Sequence, residues 1–471
     1  MVFSSNIFLF LFLPVFLSAY YATPNKHRSI PILIGSYVFY AWWRVDFLLL
    51  FAAVTLWNYV FGKWIFRNLE QGRAKMPLAI GVAGNLLTLA TFKYYNFGVD
   101  TMHALLGRSG DNTIDALTFI LPIGISFYIF QSISFLVDVY RKDAPQPKSF
   151  LDFAAFISLF PQLIAGPVLR YKDLAPQFAN RAHSFDLFSA GAYRFMLGFI
   201  KKILIADTVA PLAESVFALE NPTMGEAWLG AFAYAIQLYF DFSAYSDMAI
   251  GLGMMMGFKF MENFNAPYIS RSITEFWRRW HISLSTWLKD YLYIPLGGNR
   301  KGTRRTYINI MITMVLGGLW HGANWTFVLW GLFHGVVLCA ERYRNIARDN
   351  EIFKLRHLPW MVLTFLLVVV GWVVFRADNI GDAFTLYGAM IGLNGVAITP
   401  ALAWQIQGMS ITALIIGYFI VFIVPLFEFV SRIKLRESTA FPVHLCIMVL
   451  FILAVTRLSA QSYSPFLYFQ F

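Results

Sequence analysis

Charge is what this 471-residue chain has least of: Asp, Glu, Lys and Arg together make up 13% of it, about half the share usual in a soluble domain. Hydrophobic residues fill 58%, so a water-facing surface cannot be built from what remains. Cysteine is scarce as well. The two present, Cys339 and Cys446, lie in apolar stretches, which excludes a thiolate metal cluster and reads as packing rather than as a disulfide. Long polar segments are missing: the connectors around 97–114, 138–149, 343–357 and 376–400 are too short to fold alone. No Gly-rich phosphate loop follows a strand and no serine elbow is present, which removes nucleotide-loop and Ser-His-Asp chemistry. No internal repeat of the kind found in inverted-repeat transporters is visible.

What the chain does have is apolar runs near 20 residues, long enough to cross a hydrocarbon core as helix. The runs are continuous rather than alternating, so helices and not barrel strands must satisfy the backbone. Candidate spans fall near 6–22, 29–43, 46–66, 76–96, 115–138, 150–169, 186–216, 226–256, 306–320, 323–341, 359–375, 408–430 and 440–458. Some of these read as re-entrant or interfacial, leaving about 10–12 crossings. The expectation is an all-α polytopic membrane protein, a single domain over 1–471. Its histidine-bearing core lies near 225–340 and an aromatic tail occupies 459–471. Residues 6–20 have neither a preceding basic residue nor a convincing cleavage site and read as a retained helix. The net charge of +11 sits in short connectors, as at Arg300, Lys301, Arg304 and Arg305, or Arg342, Arg344 and Arg348. That placement points to topology and anionic lipid, not to nucleic acid.

The stretch 259–305 departs from this pattern by mixing aromatic and basic residues beside very apolar sequence. Trp277, Trp280 and Trp287 share one helical face while Arg278, Arg279 and Lys289 occupy others. This predicts an interfacial or re-entrant helix ending at the Gly297-Gly298 turn. Ionisable groups inside spans are functional candidates by default, which singles out His281, His321 and His334 among the eight histidines; His444 reads as packing. His321 stands at the junction of two apolar runs beside Gly317, Gly318, Gly322 and Ala323, with Asn324 three residues on to orient the ring or face an oxyanion. His281 can reach the same place from the amphipathic segment. A three-histidine metal site lacks an accompanying carboxylate or His-x-x-x-His pair, so no metal is expected. Asp241, Ser243, Tyr245, Ser246 and Asp247 form a second polar island, which reads either as channel lining or as a structural network. The aromatic C-terminus, RLSAQSYSPFLYFQF, should tuck back into protein or membrane.

The segments MVFSSNIFLFLFLPVFL, ITEFWRRWHISLSTWLKDYLYIPLGGNR, LGGLWHGANWTFVLWGLFHG and SPFLYFQF resemble the membrane-bound O-acyltransferase superfamily over essentially the whole chain. More narrowly they are similar to its bacterial exopolysaccharide O-acetylation branch. The resemblance implies helices around a central tunnel in a multi-pass protein of the bacterial inner membrane. It implies His321 as catalytic base and His281 as its partner, with Trp280, Trp320, Asp241, Tyr245, Gly317 and Gly318 lining the tunnel. It further implies an acetyl donor, acetyl-CoA, no bound cofactor, and periplasmic O-acetyltransferase partners. Only SRIKLREST separates the last two apolar runs, shorter than the insertion of alginate members, so cellulose fits as well as alginate. By analogy with similar tails in the D-alanylation branch, Tyr468 is the expected acyl carrier. Two readings from other classes stay open: a polysaccharide transporter and a non-catalytic assembly subunit.

Overall fold

The computed structural model describes residues 1–107, 118–346, 355–426, 441–460 and 466–467, and among these every regular element is a helix. The chain divides into two compact units, Met1–Ala192 with Ala249–Met261, and Tyr193–Met248 with Glu262–Phe471. By length and composition, five helices among the described residues can cross a membrane: Asp46–Asn68, Lys75–Leu105, Leu358–Arg376, Gly408–Leu426 and Pro442–Ala460. Phe8–Ala22 and Ser29–Ala41 are shorter apolar helices.

In the first unit, α1 (Leu13–Ala22) and α2 (Ser29–Ala41) precede α3 (Asp46–Asn68), α4 (Lys75–Leu89) and α5 (Ile125–Arg141). Two buried amides here answer each other. Asn58 on α3 and Asn85 on α4 are buried and exchange both amide hydrogen bonds, at 3.0 and 2.7 Å. Such a pair satisfies two groups the lipid could not.

The second unit carries His281, His321 and His334. The helix α6 (Phe185–Ile200) leads into a π-helical turn at Lys201–Ala206. The 32-residue helix α7 (Met224–Met255) starts at a capping box, in which Glu226 Oε2 accepts the Thr223 N–H at 2.9 Å. It is about 48 Å long, enough to cross a bilayer, but its carboxylates depress its hydropathy.

The single amphipathic helix expected over the Trp277–Trp287 region is in fact two: α8 (Ile273–Arg279) and α9 (Ile282–Leu288). The break falls at His281, whose φ of 44° and ψ of 53° are left-handed. A non-glycine residue there cannot continue a right-handed helix. The N-terminus of α8 is closed by a carboxylate from elsewhere. Glu341 accepts the Ile273 N–H at 2.6 Å and the Thr274 N–H at 2.9 Å, satisfying donors that a helix start leaves open.

Two longer helices, α10 (Gly302–His321) and α11 (Trp325–Tyr343), then pack against each other, and α12 (Leu358–Arg376) packs on α11. Glycine sets the α10–α11 approach. A Cβ on Gly318 would lie 2.2 Å from the Phe327 carbonyl oxygen, and one on Gly331 would lie 2.4 Å from that of Met314. Both obstacles are backbone and cannot swing aside.

Gly331→Ala should therefore cost about 1–3 kcal/mol through overpacking. Gly98→Ala, where a Cβ meets nothing within 4 Å, should be neutral or stabilise by up to ~1 kcal/mol. Thermal unfolding of the two variants in detergent compares them directly. Equal midpoints would mean that α10 and α11 do not depend on the glycine contact.

Candidate active site

His321 is the last residue of α10 and is 4% exposed. Its helix ends there because Gly322 turns extended, at φ −158°. Aromatic rings surround it: Trp320 at 5.1 Å, Trp330 of α11 at 5.2 Å and Phe375 of α12 at 5.3 Å between centroids. The His281 ring lies 6.4 Å from that of His321 and is fully buried. Forty residues apart in sequence, the two imidazoles lie close together, and of the two His321 lines a cavity. Phe242 of α7 packs edge-on against His281 at 4.7 Å.

Next to His321 opens a cavity of about 170 Å³, also lined by Trp277, Ser285, Lys289, Gly317 and Trp330. A second and more polar cavity of about 650 Å³ is lined by Thr274, Arg278, Thr303, Tyr307 and Arg342. The two share Ile310 and Leu338. On α10 the lining residues include, besides Thr313, Thr303, Tyr307, Ile310, Met314, Gly317 and His321, these six spaced by alternate fours and threes. They form one helical stripe, about 27 Å long. It runs from the basic end of α10 to the catalytic candidate.

The indole N–H groups of Trp277 and Trp330 are buried without a hydrogen-bond partner among the described residues. Both ring nitrogens of His334, whose ring meets Trp330 edge-on at 4.8 Å, are in the same position. Buried polar groups normally have partners, and of these three residues Trp277 and Trp330 line the cavity beside His321.

Other predicted site residues have been given different work. Asn324 caps α11, its Oδ1 accepting the Thr326 N–H at 3.0 Å, while its Nδ2 donates to the Asp378 carbonyl at 2.9 Å. That amide is engaged as a helix cap and turned to a loop carbonyl, away from an oxyanion role. Gly317 lines the cavity as expected, but Gly318 serves the helix–helix contact. Trp280 packs on Trp372 at 4.9 Å and Phe264 at 5.0 Å. Trp320 packs beside both histidines, 6.0 Å from His281 and 5.1 Å from His321.

The polar island on α7 is a structural network. Asp241 pairs with the buried Lys202 at 2.6 Å, and Lys202 also holds Asp207 at 2.7 Å. Asp247 pairs with Arg194 at 2.9 Å and Lys201 at 2.6 Å. The C-terminal segment docks onto this network. Asp241 Oδ2 accepts the Leu467 N–H at 2.9 Å, Lys202 lies over the Phe466 ring at 4.6 Å, and Tyr245 meets that ring at 4.8 Å. The tail does tuck back into protein at these two residues. Tyr468 lies outside the described residues.

Sequence reasoning missed Asn263, which is 1% exposed and touches His281, Ser283 and Ser246. Its only signal was a polar residue in the unusual 259–305 stretch.

Residues 37–375 match the membrane-bound O-acyltransferase family. The chain belongs to that family. It is an O-acyltransferase and a multi-pass membrane protein. It is 53% identical, over the full length of both chains, to the probable alginate O-acetylase AlgI of Pseudomonas putida. To the peptidoglycan O-acetyltransferase of Helicobacter pylori it is 36% identical, covering 84% of this chain and 81% of the relative. To the teichoic acid D-alanyltransferase of Streptococcus thermophilus it is 28% identical, over 54% and 68%.

If Asn324 is a cap, Asn324→Ala should lower stability by about 1 kcal/mol, and Asn324→Ser, which keeps a capping oxygen, should lower it less. Acyl transfer should stay within a few-fold of the parent in both. A loss of about 10²–10³ in kcat for the serine variant would restore Asn324 to the oxyanion.

Proposed function

We propose that this O-acyltransferase moves acetyl groups from acetyl-CoA, entering from the cytoplasmic side of the bacterial inner membrane, into the O-acetylation of alginate. The observation that carries the reading is the convergence of His281 and His321, 6.4 Å apart, where His321 lines a cavity that shares its walls with a basic one. Arg278 and Arg342 suit the anionic end of a CoA thioester, and the narrower apolar cavity suits its thin arm. The basic connectors around Lys301, Arg304 and Arg305 favour a cytoplasmic position for that end. Alginate is favoured over cellulose by full-length similarity to alginate O-acetylases.

In this mechanism neutral His321 takes the proton of the incoming hydroxyl as its oxygen bonds to the acetyl carbon. The C–S bond then breaks, and the thiolate leaves with that proton. The charge on the intermediate's oxygen needs donors, and the buried indole N–H groups of Trp330 and Trp277 supply them. The first acceptor is Tyr468, directly after the anchored Phe466 and Leu467. Asp241, which holds Leu467, is the chain neighbour of Phe242, which packs on His281. A phenol of pKa about 10 and a thiol of about 8.5 are similar leaving groups, so an aryl ester keeps much of the thioester's transfer potential. Periplasmic O-acetyltransferase subunits would then pass the acetyl group to the polymer.

The test feeds the purified protein isotope-labelled acetyl-CoA and reads the C-terminal peptide by mass spectrometry. Label on Tyr468 is expected in the parent and absent in His321→Ala. Trp330→Phe, which keeps the ring and loses the N–H, should slow labelling about 10²-fold. Donor consumption with a periplasmic partner present but no label on Tyr468 would overturn the carrier. Unchanged acetyl transfer in His321→Ala would overturn the base and favour an assembly role.

A further inference from the structure

The chemistry above leaves undecided what His281 contributes, and its surroundings answer this through hydrogen-bond bookkeeping. Asn263 Oδ1 lies 3.1 Å from His281 Nδ1, 3.3 Å from the Ser283 backbone N and 2.8 Å from Ser283 Oγ. Asn263 Nδ2 lies 2.9 Å from Ser246 Oγ on α7. An amide's oxygen and nitrogen are assigned from their partners, and here the partners decide. A backbone N–H can only donate, so the amide atom facing Ser283 N is the oxygen. That same oxygen faces His281 Nδ1, and two acceptors facing each other in a buried place would repel. Nδ1 therefore carries the proton. A neutral imidazole protonated at Nδ1 has its lone pair on Nε2.

The backbone holds the arrangement in register. The Asn263 carbonyl accepts the Ile282 N–H at 2.9 Å, and the Asn265 N–H donates to the Arg279 carbonyl at 2.9 Å. These two bonds bracket the left-handed residue between α8 and α9.

We propose that Asn263 is the positioning residue that locks His281 as its Nδ1-protonated tautomer, so that His281 takes part in acyl transfer as a hydrogen-bond acceptor through Nε2. Neutral His281 then cannot donate to the oxyanion from that atom, which leaves donation to other groups such as the indoles. The tautomer stands on the hydrogen bonds alone. Its consequence for turnover rests on the acyl-transfer reading above.

The two parts are separated by measuring both. Solid-state nitrogen NMR of the full-length protein in lipid, with ¹⁵N-labelled histidine, assigns the His281 signals as those lost in His281→Gln. A protonated Nδ1 and an unprotonated Nε2 are expected in the parent. In Asn263→Leu the proton should shift to Nε2 or exchange between the two. Asn263→Asp, which keeps an acceptor facing Nδ1 and the Ser283 N–H, should restore the parent pattern. In acetyl transfer, Asn263→Leu should lower kcat at least tenfold with the donor KM little changed, and Asn263→Asp should recover most of it. A His281 protonated at Nε2 in the parent overturns the assignment whatever the activity. The expected spectra together with full turnover in Asn263→Leu overturn the positioning role. Loss of the native tryptophan fluorescence in Asn263→Leu would mark misfolding, and the aspartate variant and the parent spectrum then decide. Expected spectra alongside full activity in His321→Ala would sink the acyl-transfer reading and leave the tautomer intact.

Discussion

Hydrocarbon offers no hydrogen bonds, so a polar group carried into it must find its partner on the same chain. Much of the second unit is arranged around that constraint. Asp241 is held by Lys202, Asp247 by Arg194 and Lys201, and the start of α8 by Glu341. Each pairing ties elements distant in sequence. Removing one partner from a buried ion pair typically costs about 3–5 kcal/mol, because the other charge is stranded. The polar residues are thus sparse but individually expensive to lose, and they fix which helices lie together more sharply than apolar packing could. Of the buried polar groups left unanswered among the described residues, the indoles of Trp277 and Trp330 line the cavity of His321.

The helical, membrane-crossing character was legible because it depends on composition and run length alone. His321 stood out as a candidate because an imidazole between apolar runs conflicts with lipid unless it serves something. The stripe Thr303–Tyr307–Ile310–Met314–Gly317–His321 obeys the helical period, and so could have been read as one face. The cap role of Asn324 also had a local signal, an Asn directly before an apolar helix, but its closeness to His321 suggested chemistry instead. Two things could not be read. The break between α8 and α9 is imposed by residues 263–265, which come earlier in the chain, and helix periodicity carries no trace of it. Asp241 pairs with Lys202 on another element and with Leu467 more than two hundred residues on, so the polar island on α7 could be seen but not interpreted.

The left-handed backbone of His281 links these points. A non-glycine residue held in that region costs about 1–3 kcal/mol and persists only when its surroundings over-determine it. Here the surroundings are Asn263 and its neighbours, which make two backbone–backbone hydrogen bonds around the break and a third from the Ser283 N–H to the Asn263 side chain. A continuous helix from Ile273 to Leu288 would avoid the strain and keep the tryptophans on one face. It would also carry His281 on a regular helical path, with the ring's position set by the turn and not by Asn263. Ending α8 at Arg279 and restarting at Ile282 lets the imidazole be placed independently of both helices, against Phe242 and within 6.4 Å of His321. The strain is therefore best understood as the cost of bringing two histidines from separate helices to one point. That also explains why the segment richest in aromatic and basic residues is the one whose helix is broken.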